Sequence, residues 1–442
     1  MDPRRRSLTA VLAGTFTLRF STGLTGAMLL YYLAQLPAFG GPEVSASVAG
    51  IMTAAYFAAE LLLSPAFGVL SDRIGAHRIM QIGPLLGAGA VIVTAVTTDL
   101  WLLGGTRWLE GMAAAASIPS ILGYIAIVTS GDEGLRGRTV ARFEAATIAG
   151  LGVGAVVAGP LFELLGAGAF LANAVVYGVS LVIYRFGVAP ADRPAPDVPP
   201  TSSGELRPRS FDLRRYARLL ATSGVWLLAP TWIALNAVIG AWTTQSVFQL
   251  VRANPDPDRF GGQLLMGGFA PTQVSIGLAV ALIVFFVGIF VWGGLFRRYR
   301  ATSIIAVGII GGLVMIGAIA AVNHSGDWGL PSRVGLVLVA LGGLFVLAGA
   351  TPAALGMLAN ISEPHPEDRG AIMGLYSVFL GVGQIVGSVA SGGAADWLGI
   401  DGLLLASAVL LGLALVPLRW LRASEHLVGS VDHTTVPDRT PA

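Results

Sequence analysis

Long apolar runs separated by short polar segments dominate the chain from residue 9 to residue 420. A transmembrane helix needs about 20 consecutive apolar residues, and twelve runs reach or approach that length. They lie at about residues 9–36, 45–70, 79–98, 101–129, 139–165, 168–187, 220–250, 272–296, 301–322, 333–358, 370–395 and 402–420. The pattern predicts an all-α, polytopic membrane protein with twelve transmembrane helices, which we call spans 1 to 12.

The composition supports a membrane location. The chain is 54% hydrophobic and 12% charged, whereas soluble domains carry about 25% charged residues. The polar surface is therefore too small for a water-soluble globule, and we expect the lipid bilayer to be a partner. The absence of cysteine excludes disulfides, thiolate metal sites and thiol catalysis. A net charge of +2 gives no reason to expect nucleic-acid binding.

The placement of arginine predicts the orientation. All 27 basic residues are arginines, and most lie at the N-terminus, after even-numbered spans and at the C-terminus. Only Arg252, Arg259 and Arg333 fall in the alternate loops. By the positive-inside rule, both termini should be cytoplasmic and the protein should lie in the cytoplasmic membrane. A twin-arginine export signal at residues 4–6 is the alternative, but further spans follow at once.

Spans 5 and 11 carry matching residues, which indicates an internal repeat. A shift of 233 residues places the following on one another without a gap: Arg136-Gly137 on Arg369-Gly370; Gly150, Gly154, Gly159 and Gly166 on Gly383, Gly387, Gly392 and Gly399; and Glu163 on Asp396. A shift of 225 places Gly68, Leu70 and Arg73 on Gly293, Leu295 and Arg298. Chance matching is the alternative in a chain with 59 glycines, and the ungapped run argues against it.

The repeat predicts two pseudo-symmetric six-helix bundles, at residues 1–188 and 218–422. Residues 189–217, rich in proline, serine and charge, are expected to form a cytoplasmic linker. Residues 423–442 are polar and are expected to be a disordered cytoplasmic tail. Duplicated halves of this kind are a transporter architecture in which the substrate path lies between the halves.

The loop between spans 2 and 3 carries a motif made of Gly68, Asp72, Arg73, Gly75 and Arg78. Glycine at the first position would allow close helix approach, the acid could cap a helix or pair with a guanidinium, and the second glycine could adopt a positive φ. This run resembles the G-x-x-x-D-R-x-G-x-x-R signature of the major facilitator superfamily. Positive-inside topology alone is the alternative explanation of its arginines.

The resemblance implies that this loop latches the cytoplasmic side against the opposite half, near Arg369 at the start of span 11. The second copy of the motif has Arg297 where the first has the acid. We therefore expect an asymmetric latch that depends on the first copy. Span 4 carries Arg107, Gly111 and Ala115, which resemble the family's R-x-x-x-G-x-x-x-A motif, whose arginine is implicated in proton transfer.

Span 5 carries Gly150, Gly154 and Gly159-Pro160. These residues resemble the glycine-proline motif of exporters, especially the twelve-helix drug:proton antiporters. The sequence departs from that motif at Leu161-Phe162-Glu163, where further glycines are usual. Close helix packing is the alternative role of these glycines.

Four charged residues fall inside the spans: Arg19, Glu60, Arg107 and Glu110. Each charge at that depth costs at least about 2.5 kcal/mol and should be paired or face water. Arg107 and Glu110 can meet at i, i+3. We expect Glu60 and Glu110 to include a proton carrier whose pKa the two arginines tune. The alternative is that these residues only lock spans 1, 2 and 4 together.

The middles of spans 7–12 contain no Asp, Glu, Lys or Arg, and offer aromatic and amide groups instead. Such groups suit a lipophilic or amphipathic substrate, although tryptophans also form interfacial belts and pack helices. The substrate-binding candidates, with two from the outer end of span 1, are Tyr32, Gln35, Trp232, Asn236, Trp242, Gln245 and Gln384.

The sequence thus predicts a secondary active transporter that exports a small lipophilic or amphipathic molecule in exchange for protons. The alternatives are an uptake or facilitative carrier for a metabolite or nutrient, and a non-transporting membrane sensor or scaffold. We expect no enzymatic activity, because no nucleophile or metal cluster is evident. We also expect no metal and no cofactor, since a phosphate-binding G-x-x-x-x-G-K-[ST] motif is missing. A monomer is expected.

Overall fold

The computed structural model describes residues 3–190, 225–253, 256–295, 298–362 and 369–423. Every regular element in these ranges is helical. The twelve long helices are α1 Pro3–Ala34, α2 Ala46–Ile74, α3 Ala76–Val96, α4 Leu100–Val128, α5 Glu133–Leu165, α6 Gly168–Gly187, α7 Val225–Val251, α8 Pro271–Leu295, α9 Ala301–Asn323, α10 Leu330–Ile361, α11 Arg369–Leu398 and α12 Ile400–Ala423.

The predicted all-α membrane fold is confirmed. Eleven helices within the described part of the chain are long and apolar enough to cross a bilayer, from α2 to α12. The remaining one, α1, has 32 residues and is less apolar because it carries Arg19 and several hydroxyl groups. Residues 191–224, which hold most of the predicted linker, and the tail from residue 424 lie outside the described residues.

Local sequence signals fix the helix ends. Asp99 caps α4 by accepting hydrogen bonds from the backbone N–H groups of Trp101 and Leu102, and Asp132 caps α5. At the other end of α5, Gly166 has a φ of 55°. Gly399, its counterpart in the repeat, has a φ of 62° and separates α11 from α12. Glycine is the residue that adopts such a conformation without strain.

The glycines of the repeat occupy equivalent packing positions. A Cβ on Gly154 would lie 2.1 Å from the Phe20 carbonyl oxygen of α1. A Cβ on Gly387 of α11 would lie 1.8 Å from the Ala237 carbonyl oxygen of α7. In both halves the glycine side of one helix therefore packs directly on the backbone of the first helix of that half, as a duplicated bundle requires.

The two halves meet along two seams, where α2 packs on α11 and α5 packs on α8. We call the end of the bundle with the α1–α2, α5–α6, α7–α8 and α11–α12 connections the outer end, following the predicted orientation. The hydrophobic core of the first half takes in Phe248, Val274 and Ala395 from the outer ends of α7, α8 and α11. The halves therefore share one apolar core at this end.

Candidate functional site

Two of the predicted charges form an ion pair inside the first half. Arg107 Nη1 donates to Glu110 Oε2 along α4. The side chains are 7% and 3% exposed. The i, i+3 spacing places both groups on one helix face. The second carboxylate oxygen of Glu110, Oε1, is buried and has no hydrogen-bond partner among the described residues.

Tyr56 joins this pair to the other two charges. The Arg107 guanidinium lies over its ring, with Cζ 4.9 Å from the ring centroid. The Tyr56 hydroxyl interacts with the carboxyl of Glu60 one turn along α2, and Arg19 of α1 acts electrostatically on the same carboxyl. All four predicted charges therefore belong to one cluster between α1, α2 and α4, which we call the charged cluster.

Two members of this region were not predicted from the sequence. Tyr56 is one, and the other is Glu144 of α5, which also interacts electrostatically with Arg19. Arg19 thus faces acids from two helices, α2 and α5. Tyr56 could have been predicted as a neighbour of Glu60, because the two residues are four positions apart on one helix. Glu144 lies near the cytoplasmic end of its span, so its sequence position gives no comparable signal.

The cytoplasmic loop motif behaves only partly as its residues suggest. Gly75 ends α2 with a φ of 99°, which is the positive value expected of it. The close approach expected at Gly68 is not found, because a Cβ there would lie 3.8 Å from the Pro119 Cβ, an ordinary contact. Asp72, Arg73 and Arg78 are exposed. The side chain of Arg369, the expected neighbour of the latch, lies outside the described residues.

The glycines of the span 5 motif serve contacts on two sides. Gly154 packs on α1, as described for the repeat, and so does Gly150, where a Cβ would lie 2.7 Å from the Phe16 carbonyl oxygen. Gly159 faces the other half, where its Cβ would lie 2.2 Å from the Pro271 carbonyl oxygen. Its backbone N–H donates to Ser275 Oγ of α8 at 2.9 Å. Pro160 follows inside α5 without ending the helix.

Four of the substrate-binding candidates have places in packing or at the outer end. Tyr32 is buried, and its hydroxyl donates to the Thr97 carbonyl oxygen at 3.0 Å. Trp232 is buried in the core of the second half. Asn236 donates back to the Trp232 carbonyl oxygen at 2.9 Å. Gln35 lines a cavity of about 390 Å³ at the outer end, together with Glu163.

The other three candidates cluster around a distortion of α7. Residues Trp242–Ser246 form a π-helical turn, a feature often found at functional sites. Trp242 Nε1 and Gln384 Oε1 are buried atoms without a hydrogen-bond partner among the described residues. Gln245 instead donates to the Ala46 carbonyl oxygen of α2 at 2.9 Å, across the seam between the halves.

A second cavity, of about 500 Å³, has an almost wholly apolar lining between α7, α11 and α12 that includes Trp226, Ile233 and Leu413. Neither cavity is lined by the charged cluster. No group of His, Cys, Asp or Glu that could hold a metal ion is found among the described residues.

Comparison with known families decides the identity of the fold. The family model for the Major Facilitator Superfamily matches residues 11–267 and 258–436. This chain belongs to the major facilitator superfamily. It is therefore a multi-pass membrane protein of a transporter family, and the family predicted from the sequence is confirmed.

Drug and lipid transporters of the superfamily are among its relatives. The chain is 33% identical over 143 residues to the Escherichia coli tetracycline resistance protein, class C, over 32% of this chain and 35% of that protein. It is 32% identical over 184 residues to the lysophospholipid transporter LplT of Photorhabdus laumondii subsp. laumondii, over 41% and 43% of the two chains. The matched parts thus span less than half of either relative.

The fold also matches solved superfamily structures. A bacterial homolog of the human lysosomal transporter Spinster, in an inward-facing and occupied conformation, superposes with a TM-score of 0.70. The alignment covers 96% of this chain and 97% of that one, at 13% identity. At that identity the match supports the superfamily fold alone.

Proposed function

We propose that this superfamily member exports small lipophilic or amphipathic molecules in exchange for protons. The observation that carries the proposal is the buried Arg107–Glu110 pair, in which one carboxylate oxygen has a partner and the other has none among the described residues. A carboxyl in such a place can take up and release a proton. Desolvation disfavours its charged form, while the neighbouring guanidinium favours that charged form.

Protonation of Glu110 would change the local balance of charge. The ionised carboxylate neutralises Arg107 inside the membrane. Once the carboxylate is protonated, the guanidinium is left buried without its counter-ion, at a cost of several kcal/mol. The facing side chain of α2 is Tyr56, whose hydroxyl interacts with Glu60. We infer that Arg107 then moves toward α2, and that this shift between packed helices couples proton binding to the movement of the halves.

The substrate side of the proposal rests on α7 and α11. Trp242 and Gln384 offer an indole N–H and an amide oxygen that no described residue satisfies. An aromatic wall with a few polar groups suits an amphipathic ligand. The tetracycline resistance protein and the lysophospholipid transporter among the relatives support a substrate of this class.

The placement in the membrane is also a proposal. The arginine distribution supports cytoplasmic termini and a location in the cytoplasmic membrane. We propose a monomer as the working unit, because each monomer of a two-half transporter contains its own path between the halves.

The test is flux in proteoliposomes with an imposed pH gradient. Tetracycline, a lipophilic cation and a lysophospholipid serve as the three substrates. We expect uptake of at least one of them into the acidic lumen, and its loss when an uncoupler collapses the gradient. Flux that is indifferent to the gradient would support the facilitative carrier. No flux of any compound in the panel would contradict the proposed substrate class.

A further inference from the structure

A carboxylate from the second half holds the outer end of α2. Asp396, near the end of α11, accepts hydrogen bonds from the backbone N–H groups of Ala46 at 2.6 Å and Ser47 at 3.1 Å. These residues form the first turn of α2, whose cap is Ser45. The same turn is held from α7, since Gln245 donates to the Ala46 carbonyl oxygen.

A carboxylate from the first half holds the outer end of α8 in the same way. Glu163, near the end of α5, accepts a hydrogen bond from the backbone N–H of Thr272 at 3.1 Å. Thr272 lies in the first turn of α8, which begins at Pro271. One turn further on, Ser275 accepts from Gly159 and hydrogen bonds with the Tyr31 hydroxyl at 3.0 Å.

The two contacts are related by the internal repeat. The shift of 233 residues that aligns α5 with α11 places Glu163 on Asp396. The shift of 225 residues that aligns α2 with α8 places Ser47 on Thr272. Asp396 of α11 therefore contacts α2 across one seam, and Glu163 of α5 contacts α8 across the other. The helices α2 and α8 correspond to one another in the repeat. Neither contact joins residues of the same half.

An acidic side chain suits both places. The first N–H groups of a helix have no partner within the helix, and the N-terminus carries partial positive charge. Hydrogen bonds from such groups to a carboxylate are about twice as strong as neutral ones. All three hydrogen bonds must break when the halves separate at this end, and the freed N–H groups are then left to water.

We propose that Glu163 and Asp396 are the paired gate residues that hold the outer side closed. This assignment rests on the proposed export function, in which the two halves move relative to one another. It also explains why Glu163 stands where the exporter motif usually has a glycine. The outer closure is then symmetric, whereas the cytoplasmic loop motif has an acid in one copy only.

The chain offers a clean accessibility assay, because it contains no cysteine. Thr53 lies seven residues from Glu60 and therefore on the same face of α2, about 10 Å nearer the outer end. Thr53 is half-buried and lies two turns inward of the first turn of α2, which Asp396 holds. Thr53→Cys supplies the reporter, and a membrane-impermeant maleimide is added from outside to right-side-out vesicles.

We expect Glu163→Gln and Asp396→Asn each to raise the labelling rate of Cys at position 53 about tenfold. A tenfold change corresponds to about 1.4 kcal/mol. The double variant should label faster than either. Glu43→Gln removes an exposed outer-side acid and is the matched control, for which we expect no change. Equal labelling of the Thr53→Cys parent and all four variants would overturn the assignment.

A backbone variant tests the donor side. Ala46→Pro removes the N–H that Asp396 accepts, at the first helical position, where proline is well tolerated. It should raise the labelling rate as Asp396→Asn does. Combining Ala46→Pro with Asp396→Asn should raise the rate little beyond that of Asp396→Asn alone. Only protein that elutes as wild type in size exclusion is scored. Additive effects of Ala46→Pro and Asp396→Asn would contradict a shared bond.

The assay uses neither a substrate nor a pH gradient. A transporter of an unforeseen substrate would still show the labelling response. If the protein shows gradient-driven efflux but the labelling rate does not change, the gate role of Glu163 and Asp396 is refuted and the proposed export function is not.

Discussion

At the residue scale, buried charge distinguishes the first half from the second. The charged cluster is drawn from α1, α2 and α4. Within this cluster, Arg107 contacts Glu110 and Tyr56 contacts Glu60 between residues three or four positions apart on one helix. The contacts of Arg107 with Tyr56 and of Arg19 with Glu60 cross between helices. The second half offers amides and indoles instead, at Trp242 and Gln384.

Tyr56 should matter for transport through its hydroxyl. Tyr56→Phe keeps the ring under Arg107 and removes the group that interacts with Glu60. A hydrogen bond to a charged group contributes about 1.5–3 kcal/mol, so we expect gradient-driven flux to fall about tenfold or more. Tyr124→Phe removes a hydroxyl that donates to the Ala189 backbone carbonyl oxygen and is the control. Equal flux in the two variants would show that the Tyr56 hydroxyl is dispensable.

The buried charges could be predicted from the sequence, but some of the side chains around them could not. The i, i+3 spacing sufficed for the Arg107–Glu110 pair. Tyr56 was missed because its role depends on how α2 and α4 cross, which no local pattern encodes. The π-helical turn at Trp242–Ser246 has no signature in residue type. Glu163 and Asp396 were visible as a repeat pair, but their partners are backbone N–H groups that only the packed seams bring near.

At the element scale, some of the motif glycines allow two helices to pack closely, and others do not. The prediction of twelve helices held because hydrophobic length is a strong signal. The expected role of Gly68 failed because the α2–α4 crossing leaves room beside it. Gly154 and Gly387 have no such room, since another backbone lies against each.

Replacement of Gly154 should destabilise the first half. A Cβ at this position would lie 2.1 Å from the Phe20 carbonyl oxygen, and overpacking of this kind costs about 1–3 kcal/mol. We expect Gly154→Ala to lower the midpoint of thermal unfolding in detergent by several degrees. Gly178→Ala, in α6, meets no atom within 4 Å and is the control. A midpoint unchanged in both variants would contradict the tight α1–α5 contact.

The two glycines of the loop motif should respond differently to alanine. Gly75→Ala places a side chain at a φ of 99°, which costs about 1–3 kcal/mol of backbone strain. Gly68→Ala meets only an ordinary contact. We expect transport to fall several-fold in the first variant and to stay within about twofold of wild type in the second. A larger loss at Gly68 would indicate a close approach in another state of the transport cycle.

At the scale of the whole molecule, the halves are copies in backbone and unequal in chemistry. The repeat preserves the glycine contacts, the positive-φ turns at Gly166 and Gly399, and the two outer seams. The charged cluster has no counterpart in the middle of α7–α12. This inequality is why we propose that the first half handles protons and the second contacts the substrate.

The most direct test of this account compares two kinds of flux in Glu110→Gln. The variant keeps the size of the side chain but cannot release a proton. We predict that substrate exchange across proteoliposomes without a pH gradient stays within about twofold of wild type, whereas accumulation driven by a pH gradient is lost. Glu133→Gln, an exposed acid at the start of α5, should keep both. Full gradient-driven accumulation by Glu110→Gln would contradict the proposed proton coupling.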